Sequence, residues 1–140
     1  MWAHSYSQRL LSWHRLRQHC EAADLPTALT EINHWWQQVP WTAYVLHWDD
    51  QHNWPDPWQL LEFQRLCDLA RALGIVYTLC MLDRADTADP KLMSGSGYSV
   101  VLLDRGKYVL NLCNTVVNNA LPTAVKWQQA NITQLRKRIL

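Results

Sequence analysis

The chain has no charge excess of either sign: across 140 residues, 13 Lys and Arg face 12 Asp and Glu, for a net charge of +1. That excludes a strongly basic nucleic-acid binder and an acidic tail protein. No apolar run approaches the roughly 20 residues that cross a bilayer. The start, Met1-Trp2-Ala3-His4-Ser5-Tyr6, lacks the basic-then-apolar layout of a signal peptide. Cys20, Cys67, Cys80 and Cys113 form no CxxC and keep no regular spacing. Reduced thiols and synthesis in a cytoplasm are therefore expected, rather than a disulfide framework. Histidine is missing after His52, and Phe63 is the only phenylalanine. Tryptophan is abundant instead, with nine, six of which (Trp35, Trp36, Trp41, Trp48, Trp54, Trp58) fall within 24 residues. With 49% hydrophobic and 18% charged residues, the chain is expected to fold as one domain over residues 1–140. A helical N-terminal part (about 5–38), an α+β part (about 41–127) and a short C-terminal tail make up that reading.

Residues 5–23 place Leu10, Leu11, Trp13, Leu16 and Cys20 near helical spacing, with Arg9, Arg15 and Arg17 between them, which predicts an amphipathic helix. Asp24-Leu25-Pro26 breaks it, and Pro26 or Thr27 opens a second helix that stops by Pro40. A Trp-rich polar loop follows. Asp56 is a good N-cap, Pro57 suits the first helical position and Gln59 sits three residues past the cap. The apolar period then predicts one central helix from there to Leu73, with Gly74 as its left-handed stop. Residues 75–82 read as a strand buried on both faces, and residues 83–97 as a long mobile loop. Residues 99–103 and 107–112 flank Asp104-Arg105-Gly106, a strong hairpin signal. Residues 123–127 are one more strand candidate, and Arg136-Lys137-Arg138 lies in a solvated tail or an arm reaching a neighbouring subunit. The sum is an α+β domain with a small antiparallel sheet.

His47, Asp49, Asp50 and His52 have the composition of a zinc cluster, but no further His or CxxC completes a shell, so a solvated loop without metal is expected. The six clustered indoles admit three uses. They plug a small core with their N–H groups on loop carbonyls, they face another protein, or they stack a ligand in a small intracellular binding module. Only acidic residues (Asp49, Asp50, Asp56) lie among them, which weighs against nucleobases and their phosphates. Core packing leads and a protein interface comes next, with Trp35, Trp36, Trp41, Trp48, Trp54 and Trp58 as the candidate partner-binding residues.

Pro55-Asp56-Pro57-Trp58-Gln59-Leu60-Leu61, Cys67-Asp68-Leu69-Ala70 and Leu73-Gly74-Ile75, with the hairpin after them, resemble the transglutaminase-like branch of the papain-type cysteine fold over residues 55–112. The resemblance puts Cys67 in the nucleophile place, Asp68 and Ala70 in the motif after it, Tyr98 where the catalytic His belongs and Asn111 near the orienting position. In that family the first turn of a helix activates the nucleophile. Here Glu62-Phe63-Gln64-Arg65 would continue the helix from Asp56 and bury Cys67 about three turns inside it. With every His upstream of Cys67, these positions are degenerate, and an inactive site needing no cofactor is expected. The alternative is a cysteine hydrolase or transferase that borrows His47 or His52 as base. A second resemblance, in Trp35-Trp36, residues 54–61 and residues 72–79, is to small structural proteins of tailed bacteriophages. It implies a virion location (tail, baseplate or neck) after synthesis in the host cytoplasm. It also implies other virion proteins as partners and a symmetric homo-oligomer, with no direct nucleic-acid or membrane contact.

Overall fold

The computed structural model describes Trp2 and residues 5–95, 97–113, 115–118 and 126–139. Helix α1 (Tyr6–Ala22) starts on a Ser5–Gln8 capping box, and α2 (Leu25–Gln37) starts on Asp24, whose carboxylate accepts from the Thr27 N–H. Both helices start within a residue or two of the positions that the apolar spacing and Pro26 predict. Helix α3 (Pro57–Leu60) carries the expected Asp56–Gln59 capping box, but it lasts only four residues.

The predicted long helix from Asp56 and the strand at 75–82 are both overturned. After α3 the chain turns, and the next helix, α4, runs Asp68–Met81 with Gly74 in its middle. Two sets of tertiary bonds break the first helix. The Arg9 Nε donates to the Leu61 carbonyl at 2.7 Å, and the Trp2 indole donates to the Phe63 carbonyl at 2.6 Å, taking oxygens that a continuing helix would use. Leu66 is drawn off to pair with the segment after α2: its N–H donates to Pro40 O at 2.9 Å and its carbonyl accepts from Thr42 N at 3.1 Å. The run read as a buried strand is the second half of a helix buried nearly all round, Leu69–Ala70 and 72–79. A short apolar run does not distinguish the two states, and here the helical length wins.

Gly74 serves an approach rather than a stop. A Cβ there would lie 2.5 Å from the Trp36 ring, so the missing side chain is what lets α2 and α4 meet. The two buried indoles beside it share one acceptor: Trp13 and Trp36 each donate to Thr78 Oγ1 at 3.0 Å, and that hydroxyl donates back to the Gly74 carbonyl at 2.8 Å.

The sheet is antiparallel throughout, in the order β4-β3-β2-β1-β5, with β1 Lys91–Gly95, β2 Tyr98–Leu103, β3 Tyr108–Leu110, β4 Val117–Asn118 and β5 Gln128–Gln129. The β2–β3 hairpin turns on Asp104, Arg105 and Gly106, all at positive φ, as the sequence predicts. The expected mobile loop at 83–97 instead holds β1, which pairs Met93 with Val100 and Leu92 with Val101. Leu92, Val101, Leu103 and Leu110 join α4 in the core. The strand candidate at 123–127 falls mostly outside the described residues. The basic end is no free tail: α5 (Ile132–Arg136) buries Leu135, and a 3₁₀ turn follows over Lys137–Ile139. Arg138 donates to the carbonyls of Trp54 and Gln51, and Arg136 to that of Ala88. The architecture is α+β, with five α-helices and a small five-stranded antiparallel sheet among the described residues.

Candidate functional site

Cys67 is the N-cap of α4 rather than a residue three turns inside a helix. The break after α3 moves it there. Its side chain makes no capping bond, is only 4% exposed, and lines a groove of about 230 Å³ between the 41–48 segment and the β1–β2 turn. Trp41, Trp48, Asp68, Tyr98 and Ser99 also line it, so the groove brings together three of the resemblance-derived positions, Cys67, Asp68 and Tyr98.

Asn111 stands behind the groove, at φ 65° where β3 ends, and is buried. Its amide donates to Ser99 O at 2.7 Å and Asp68 O at 2.9 Å, while its Oδ1 accepts from Gln37 Nε2 at 2.5 Å. Its backbone N–H donates to Asn33 Oδ1 at 2.8 Å, and Asn33 donates on to Cys113 O at 3.1 Å. Every polar atom of the Asn111 side chain is therefore committed, and it acts as a clamp between β2, β3, α2 and the first turn of α4. Arg71 completes the network, donating to Val39 O and, at 3.5 Å, to Gln37 Oε1. Burial lowers its pKa, against the opposing pull of Asp68 and Cys67. Asn33, Gln37 and Arg71 were not singled out by sequence. The available signal was two amide side chains four residues apart on the apolar face of α2.

Among the described residues no histidine lines the groove. His47 and His52 are exposed on the loop and form separate local pairs, His47 3.9 Å from Asp49 and His52 3.5 Å from Asp50. Among the described residues no three metal-ligating side chains converge. The tryptophans divide. Trp36 and Trp54 belong to the core, the latter donating to His47 O at 2.8 Å. Trp35 and Trp48 are half-buried, while Trp41 and Trp58 are exposed. Of the six candidates, Trp41 and Trp48 reach the groove.

A larger groove, about 560 Å³, lies between α1 and α2 over Trp2, Trp35, Arg9 and Arg15. Both of its indole N–H groups are used internally, on Phe63 O and Ser12 Oγ, and its lining includes neither Cys67, Tyr98 nor Asn111. Compared with family models, curated proteins and solved structures, the chain matches none. The chemistry of the groove beside Cys67 is thus a buried thiol, one carboxylate and three aromatic rings, suited to holding a group.

Proposed function

We propose that this chain is a non-enzymatic structural protein of a tailed bacteriophage virion, built on a transglutaminase-like scaffold and docking other virion proteins through the groove beside Cys67 and its aromatic rim. The observation that carries the reading is the shared groove of Cys67 and Tyr98, with a phenol where the resemblance puts the family's base and no imidazole among the described residues that line it. The exposed rings of Trp41, Tyr44 and Tyr98 beside it give a surface of the kind protein interfaces enrich. The virion assignment rests on the resemblance of residues 54–61 and 72–79. Mass spectrometry of purified virions from a host expressing the chain tests it, with stoichiometric recovery expected and loss of the protein on density-gradient purification counting against it.

A second reading, a cysteine hydrolase or transferase, is favoured by one observation: Cys67 occupies the start of a helix, the place that the family's nucleophile takes. Iodoacetamide labelling of Cys67 between pH 5 and pH 9, followed by mass spectrometry, separates the two. The non-enzymatic reading expects slow labelling that rises only toward the alkaline end. A fast rate already level at neutral pH supports the enzyme instead.

A further inference from the structure

The groove beside Cys67 combines three aromatic side chains, Trp41, Trp48 and Tyr98, with the carboxylate of Asp68, and among the described residues no Lys, Arg or His lines it. The three rings do not stack on one another: among the described residues Trp48 pairs with Trp54 and Tyr98 with Trp127. Trp41 and Tyr98 are 54% and 42% exposed, so the mouth is open. Asp68 is in no salt bridge among the described residues. Its nearest cation along the helix, Arg71, is turned to Val39 O and Gln37. Arg71 still contributes its charge to the surroundings of Asp68, so what the groove offers a cation is the carboxylate oxygens together with the ring faces rather than a net negative charge. At about 230 Å³ the space falls below the roughly 300–1,000 Å³ of drug-sized ligand sites, and it fits one side chain.

Aromatic faces with an adjacent acid select a cation, and among cations the planar guanidinium, which stacks on rings and pairs with a carboxylate through two N–H groups. We propose that this groove receives an arginine side chain presented by a partner protein. The inference deepens the docking reading and rests on it. Arg136 and Arg138 of this chain are committed to its own carbonyls and do not supply that arginine.

The test is a titration of the ¹⁵N-labelled full chain with N-acetyl-arginine amide, read at the indole N–H signals of Trp41 and Trp48. N-acetyl-citrulline amide, the neutral isostere, is the control. Saturable shifts at these two indoles are expected, with arginine binding about tenfold more tightly than citrulline, a difference worth about 1.4 kcal/mol. Asp68→Asn and, independently, the exposed Trp41→Ala are each expected to weaken binding severalfold while the remaining signals hold their dispersion. Equal binding of citrulline, unmoved indoles, or unaltered binding by both variants overturns the pocket. Virion recovery and Cys67 labelling are read separately. Unmoved indoles in a protein that does enter virions remove the arginine site and leave the docking role. A reactive Cys67 in a protein that binds arginine removes the non-enzymatic role and leaves the site.

Discussion

The side-chain amide of Asn111 donates to the Asp68 carbonyl at 2.9 Å, so the end of β3 holds the first turn of α4 one residue beyond Cys67. Removing it strips one buried and two partly buried bonds and puts a Cβ-bearing residue without local compensation at φ 65°. Asn111→Ala is expected to cost about 3 kcal/mol, and Asn111→Gly, which accepts that φ, about 1 kcal/mol less. Guanidinium denaturation of both variants checks the order, and equal losses would assign the effect to the bonds alone.

Thr78 is the common acceptor of two buried indoles. Thr78→Val keeps the shape and leaves both donors unpaired, for an expected loss of about 3 kcal/mol. Thr78→Ser restores the oxygen and should recover most of that in the same denaturation measurement.

At Gly74 a methyl group would overlap the six-membered ring of Trp36. Alanine is the better helix former by about 1 kcal/mol, yet the overlap should dominate and Gly74→Ala should destabilise by about 2 kcal/mol. The same change in a Trp36→Leu background is expected to cost less, and a thermal-melt double-mutant cycle reads the coupling.

The thiols should label in a fixed order. Hydrogen bonding with Thr115 holds the exposed Cys113 thiol below its usual range, whereas burial pushes Cys20 up to about 11 and raises Cys80. Iodoacetamide at mildly alkaline pH is expected to modify Cys113 first and Cys20 last. Because the folded Cys20 resists ionisation that the unfolded chain allows near 9.0, its contribution is full below that pH. It is lost as the pH rises toward 11, and Tyr77, also raised by burial, adds to the decline. Denaturation midpoints from pH 8 to pH 11 should fall monotonically.

Arg138 ties the C-terminal turn to Trp54 and Gln51 on the Trp-rich loop. Arg138→Ala should leave the core melt nearly unchanged and speed amide exchange across residues 47–55. Unaltered exchange there would mean that Trp54, buried at 3% exposure, holds the loop by itself.

Elements announced by local chemistry were legible. Asp56 caps the helix start its side chain suggests, and Asp104-Arg105-Gly106 turns the hairpin, because caps and tight turns are settled within four residues. The span from Leu60 to Met81 was misread because its outcome depends on partners far along the chain: Arg9, Trp2 and Pro40 claim the backbone groups at 61–66. That one break also changed the site. It moved Cys67 from a helix interior to a helix start and into a groove with Tyr98.

By itself, the sequence determined the helix and turn signals, the near-neutral charge and the residues that carry chemistry, because each is a property of composition or of neighbours a few positions apart. Only the tertiary structure decided which indoles are core and which are rim. It also decided that Gly74 makes room for Trp36, and that Asn111 is a committed clamp. Those outcomes turn on contacts across tens of residues, where close packing leaves space for one arrangement and buried polar groups must find partners within it.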